Sequence, residues 1–308
     1  MVRVIPLNRP TRIIGLLCCS AILSGQAIAQ LDDNTQALAP TSKWIVNYEN
    51  EGCQLARQFG EGKDRVIASF SRYGPGTSFK LVLSGQPLKL GKSGEIEVRF
   101  GPNESEQKLE FWPGTLSEEI PSLIFTRAVW ITPASPVKFD ASKRAIPIED
   151  VYPKRDEARE KAITYLRLGS PLTHPIQLQL GPMDKAFGAL EKCVDDLMST
   201  WGIDVAKHRS LKREVNPKGN PGNWVNTADY PIKMLRQGQP ALVEFRLDID
   251  EKGKPIGCHI QQTTRPLEFD NAVCVSLMRR SKFEPAIDAD NNPIRSYWKS
   301  TVRFSLPK

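Results

Sequence analysis

The sequence predicts an α+β protein. A β-rich N-terminal domain of sandwich or open-barrel type is closed by a helix, and a three-stranded antiparallel sheet with one covering helix follows. Three observations carry this. Between residues 43 and 180, short apolar runs are punctuated by Gly74-Pro75-Gly76, Gly85, Gly91, Gly101-Pro102 and Pro113-Gly114, the pattern of many short strands joined by turns. After Pro182, Phe187, Leu190, Val194, Leu197, Met198 and Trp201 recur at helical spacing, and Gly202 can close the helix. Near the C-terminus, Ala241, Val243, Phe245, Leu247 and Ile249 alternate with Leu242, Glu244, Arg246 and Asp248, which gives a half-buried strand with one apolar face.

Taken in order, the chain opens with Arg3, Arg9 and Arg12, an apolar run from Ile13 to Leu23, and Ala27-Ile28-Ala29. A charged start, a short apolar core and an A-x-A site predict a secretory signal over residues 1–29, cleaved between Ala29 and Gln30. Lipidation at Cys18 or Cys19 is disfavoured by the bulky residue preceding each. The mature chain is then periplasmic. Retention of the segment as an anchor would place it instead at the inner membrane. Residues 30–42 read as a flexible lead-in and 43–203 as the β-rich domain. Its strands are expected at 44–48, 65–71, 78–83, 95–100, 108–112, 123–132 and 176–180, with a further helix over 156–166.

Residues 204–223 read as a linker. His208-Arg209-Ser210-Leu211-Lys212-Arg213 is basic and Asn216-Pro217-Lys218-Gly219-Asn220-Pro221-Gly222 is rich in breakers. The basic cluster suits lipid head groups or an acidic partner, and equally a solvated connection.

Residues 224–308 form the last unit. Asp250-Glu251-Lys252-Gly253-Lys254-Pro255 makes a turn after the alternating strand, and Ile256, Cys258 and Ile260 continue as the second arm of a hairpin. Asp270 caps a helix whose stripe is Phe269, Val273 and Leu277, and Arg279, Arg280 and Lys282 suit its C-terminal dipole. After Phe283-Glu284-Pro285-Ala286, a last strand places Trp298, Val302 and Phe304 on one face, with Tyr297, Lys299, Thr301 and Arg303 on the other.

Tyr230-Pro231, a polar helical turn ending at Gly238, the hairpin, the helix, Phe283-Glu284-Pro285-Ala286 and the final strand together resemble the C-terminal domain of TonB energy transducers. Cys258 and Cys274 resemble the cystine-bearing branch of that family. The resemblance implies binding rather than catalysis. Such domains grip an extended segment of an outer-membrane TonB-dependent transporter by adding it to a sheet edge. Carried over to this chain, Tyr230 and Pro231 lie beside the docked segment and the last strand is the edge, with Lys299, Thr301 and Arg303 outward and Tyr297 counted among the contact residues. The same charges also suit an edge defended against aggregation. A transducer further needs a retained membrane helix, and usually a Pro-rich spacer, whereas the 24 prolines here are scattered. A scaffold or envelope-interaction protein without energy transduction is the alternative.

Formal charge is +7 and, after loss of the signal arginines, is too mild and too mixed with acids to point to nucleic acid. Weak contact with acidic membrane surfaces stays open. Of the six cysteines, Cys53, Cys193, Cys258 and Cys274 remain after the signal. An even number in an exported chain predicts disulfides. Of the three pairings, Cys258–Cys274 lies within one small fold, strand to facing helix, which leaves Cys53–Cys193. No C-x-x-C occurs, and His174, His208 and His259 have no ligand spacing, so neither metal nor cofactor is implied. No G-x-S-x-G context or phosphate-binding Gly loop is present, and Asp195 and Asp196 point to different sides of a helix. A non-enzymatic role follows.

Overall fold

The computed structural model describes residues 34–117, 119–132, 155–264 and 266–306. The signal segment and its cleavage site, with Cys18 and Cys19, lie outside the described residues. No helix among the described residues is long and apolar enough to cross a membrane.

The N-terminal part is one sheet. It comprises β1 (Gln36–Leu38), β2 (Ile45–Tyr48), β3 (Cys53–Phe59), β4 (Val66–Arg72), β5 (Lys80–Ser84), β6 (Gly94–Phe100), β7 (Gln107–Leu116), β8 (Ile120–Phe125), β9 (Leu166–Leu168) and β10 (Ile176–Leu178). Their order is β1-β10-β9-β6-β7-β8-β5-β4-β3-β2. All neighbours are antiparallel except β1 and β10.

The sheet closes on itself. Immediately after β1, the Thr41 amide donates to the Gln58 carbonyl and the Gly60 amide to the Ala39 carbonyl, both at 2.9 Å, and Pro40 bridges Phe59. One short segment therefore pairs with β10 on one side and β3 on the other, and a barrel results. The flexible lead-in expected at residues 30–42 is corrected from Gln36 onward. Leu38 is an apolar residue with a core to enter, and only 5% of its surface remains exposed.

Alternating apolar residues fill the barrel. Phe59, Phe70, Phe79, Phe100, Phe111 and Phe125 are all buried, and Phe79 packs edge-on to Phe70 and Phe100. A short helix α1 (Glu157–Ala162) lies between β8 and β9, and the 17-residue helix α2 (Asp184–Thr200) follows β10. The latter is the helix expected after Pro182. Its Phe187 stacks on Phe79 at 5.8 Å and meets Phe70 edge-on at 5.9 Å. Cys193 on α2 is bonded to Cys53 on β3, which pins the helix to the barrel. β3 and β9 were not legible as strands. In β3, Gln54, Arg57 and Gln58 dilute the apolar signal. β9 is only three residues long.

The connection from 204 to 223 is ordered against the last unit. It holds α3 (Val205–Arg209) and β11 (Asn216–Pro217), and β11 pairs with β14 (Phe283–Glu284). A short helix α4 (Ile232–Arg236) follows Tyr230-Pro231 and ends before Gly238, which takes φ +62°.

The C-terminal sheet has the order β13-β12-β17, all antiparallel, with β12 at Ala241–Ile249, β13 at Pro255–Thr263 and β17 at Ser296–Phe304. Helix α5 (Leu267–Arg280) covers one face, and Phe269, Val273 and Leu277 point into the core as expected. Cys258 is bonded to Cys274 across this strand–helix contact. Two smaller pairs, β14 with β11 and β15 (Ala286–Ile287) with β16 (Pro293–Ile294), finish the unit.

Two local expectations are corrected. Asp270 is not the cap. It is the fourth residue of α5, which starts behind Pro266, and its side chain is buried. Ile256 does not continue the apolar alternation. A bulge between Asp248 and Ile249 pairs Pro255 with Ile249 and turns Ile256 out to solvent.

Candidate partner-binding surface

The partner-contact residues drawn from the sequence fall on β17 and at the start of α4. Strand β17 is an edge, and among the described residues it pairs only with β12. Ser300, Thr301 and Arg303 along it are exposed. Among the described residues, its backbone N–H and C=O groups along one side therefore have no ladder partner.

Tyr230 stands at the end of this edge. Its ring packs edge-on against Phe304 of β17 at 5.2 Å and against Phe269 of α5 at 5.7 Å. Its hydroxyl donates to the Gln239 carbonyl at 2.6 Å. Pro231 occupies the N-cap of α4 with φ −62°. Both are thus built into the framework that shapes one end of the edge. Asp229, just before them, makes a two-pronged ion pair with Arg280 of α5. Arg280 holds the Asp229 carboxyl well below the usual carboxylate range.

The second face of the sheet departs from expectation. Tyr297, Lys299, Thr301 and Arg303 share a face with Glu244, Arg246 and Asp248 of β12. That face lies against the outside of the barrel, which covers Arg246 and Asp248 and partly covers Tyr297 and Lys299, while Thr301 and Arg303 stay exposed. Arg246 is 1% exposed. Its guanidinium pairs with Asp248 on its own strand, donates from Nη2 to Glu51 of the β2–β3 turn at 3.0 Å, and lies 3.9 Å from the Trp201 ring centroid. His259 Nε2 reaches Asp248 at 3.1 Å, and Arg295 reaches it at 3.4 Å.

Around this centre the contacts continue. Lys80 of β5 pairs with Glu244 at 2.6 Å. Tyr73 donates to the Gln262 side chain at 2.5 Å, and Gln261 donates to the backbone carbonyls of Glu51 and Tyr73. Tyr297 packs on Trp201 and stacks on His208 at 5.2 Å. His208 in turn meets the Ser296 hydroxyl at 2.9 Å.

Burial shifts the groups held here. His208 is pulled down to about 4, and the Tyr297 and Tyr73 hydroxyls are pushed up. Lys299 is drawn down to about 8 by burial and then by Arg72, against Glu244 and Glu214. Its amine meets the Pro75 carbonyl at 3.4 Å on the solvent side of the contact. At the open end, Arg303 grips Glu110 of β7 with two hydrogen bonds of 2.8 and 3.1 Å and lies over Trp112.

Sequence reasoning missed the barrel half of this contact: Glu51, Tyr73, Lys80, Glu110, Trp112 and Trp201. One signal was present. Arg246 and Asp248 sit in the middle of a strongly apolar strand, where unmatched charge is costly, so charged partners elsewhere in the chain were to be expected. Among the described residues no cluster of His, Cys, Asp or Glu has metal-binding geometry.

Residues 226–306 match the family model described as the Gram-negative bacterial TonB protein C-terminal. The match spans α4, the three-stranded sheet, α5 and the Phe283–Ala286 segment, as the resemblance implied. No curated protein shows significant similarity to the chain.

Proposed function

From a chain that carries a TonB-type C-terminal domain at residues 226–306, we propose an envelope binding protein that takes an extended segment of an outer-membrane transporter, or a similar partner, along the edge of β17. The observation that supports this reading is that β17 pairs with β12 alone among the described residues, with Ser300, Thr301 and Arg303 exposed beside it. A strand added there extends the ladder, and main-chain hydrogen bonds supply the grip. The role is binding, without catalysis. Two disulfides fit an oxidising compartment such as the periplasm.

The test is a pair of prolines. Neighbouring amides on a strand point to opposite edges, so one of Ser300→Pro and Thr301→Pro removes an outward donor and leaves the β12 ladder whole. That variant melts like the parent protein and loses binding to peptides from the N-terminal segments of outer-membrane transporters. Unchanged affinity in the folded variant overturns edge pairing.

A second reading is favoured by the covered face. Arg246, Lys80 and Glu244 lock the TonB-type sheet to the barrel, so the sheet also serves as a scaffold within a two-part envelope protein that does not transduce energy. A protein of this kind binds no transporter peptide selectively.

A further inference from the structure

The edge of β17 is bounded by the barrel on one side, and this decides what a strand laid along it would meet. On the side of α5, the row is Trp298, Ser300 and Val302, with Trp298 and Val302 packed on the apolar core, Ser300 exposed and Tyr230 at the end against Phe304. On the barrel side, the row is Lys299, Thr301 and Arg303. Beyond that row stand the Tyr73–Gly76 loop and the outer face of β7. A Cβ on Gly74 would lie 3.1 Å from the Tyr297 hydroxyl and 3.3 Å from the Lys299 amine, so the loop is seated directly against β17.

The charges of the barrel-side row are unequally matched. Glu110 is committed to Arg303 and Glu244 to Lys80. Lys299 has a carbonyl contact to Pro75 and no ion pair within 4 Å among the described residues, with Glu244 and Glu214 acting on it only at longer range. Thr301 lies exposed between the two cations.

We propose that the barrel forms the second wall of the groove beside β17, and that Lys299 makes this groove select an extended segment that alternates apolar and acidic side chains. The proposal rests on the edge-pairing reading above. A docked strand keeps a period of two. Its apolar side chains lie over Trp298 and Val302, and a carboxylate opposite Thr301 falls between Lys299 and Arg303. A cross-strand pair of opposite charge is favourable and a like-charge pair unfavourable, so the wall both attracts acidic segments and rejects basic ones.

The test uses the full chain and fluorescently labelled peptides about nine residues long, matched to β17, in which Val alternates with Glu, with Thr or with Lys. The Glu peptide binds about fivefold more tightly than the Thr peptide, and the Lys peptide binds most weakly. Lys299→Met brings the Glu and Thr peptides to about equal affinity while the Thr peptide binds as before. Raising salt tenfold narrows the same gap in the unaltered protein and needs no variant. Equal binding of the Glu and Thr peptides, or a preference that survives Lys299→Met, overturns the proposal and leaves edge pairing standing. Absence of binding by every peptide overturns both.

Discussion

The two faces of the C-terminal sheet are both covered, and by opposite chemistry. Toward α5 the strands present Val243, Phe245, Leu247 and Trp298, and the helix answers with Phe269, Val273 and Leu277. Toward the barrel they present Glu244, Arg246, Asp248 and Tyr297, and the barrel answers with Lys80, Glu51 and Trp201. An apolar face accepts any apolar cover of suitable shape, since burial is non-directional. A charged face accepts only a cover that returns a partner for each charge. The barrel-side contact is therefore the more specific of the two, although both lie on the same three strands.

Variants on each face sharpen this contrast. Phe269→Ala leaves a cavity beneath α5 and costs about 3–5 kcal/mol in urea unfolding. Arg246→Met is expected to cost a similar amount, about 3–5 kcal/mol, because Glu51 and Asp248 lose the cation that compensates them. The two differ in rescue. Glu51→Gln added to Arg246→Met recovers part of the loss, whereas no single change at the barrel relieves Phe269→Ala. If the double variant is as unstable as the sum of the single ones, Arg246 and Glu51 are not coupled and the contrast fails.

Smaller effects follow. Replacing Cys258 and Cys274 together by Ser should cost about 3 kcal/mol, from the short loop they close, and the loss should appear on the α5 face without releasing the barrel contact. Hydrogen exchange at Arg246 and Lys299 reads this directly.

A further effect is set by pH. The folded protein keeps His208 neutral down to about 4, whereas the unfolded chain takes up the proton near 6.5. Stability from this group is present above pH 6.5 and declines as pH falls from there toward 4, because the unfolded state then binds more protons. His208→Asn should flatten that part of the stability curve and leave the α5 face unaffected. An unchanged curve would show that His208 is not enclosed by Tyr297 and Ser296.

This contrast also explains what could be read from the sequence. The α5 face was legible because alternation in β12 and helical spacing in α5 are local patterns. So were the hairpin turn and both cysteine pairings. The barrel face was not, because Glu51 lies 195 residues from Arg246 and Glu110 lies 193 from Arg303. No local period links such pairs, and charged side chains in an alternating strand read by default as solvent-facing. The partial covering of Tyr297 and Lys299 by the barrel was missed for that reason, whereas Thr301 and Arg303 on the same strand are exposed.

The segment that closes the barrel constrains how the chain reaches its fold. β1 and the residues just after it hold β10 and β3 together, yet β10 is completed only at Leu178. Cys53 likewise waits for Cys193, 140 residues later. During synthesis β1 meets β10 only after most of the barrel has appeared. Closure over so long a loop is entropically slow. Any cysteine oxidised before Cys193 arrives is joined to the wrong partner or to another molecule. The order of synthesis thus makes closure the late step in forming the barrel, and it gives a thiol–disulfide exchange catalyst more to do for Cys53 than for Cys258, whose partner follows 16 residues behind.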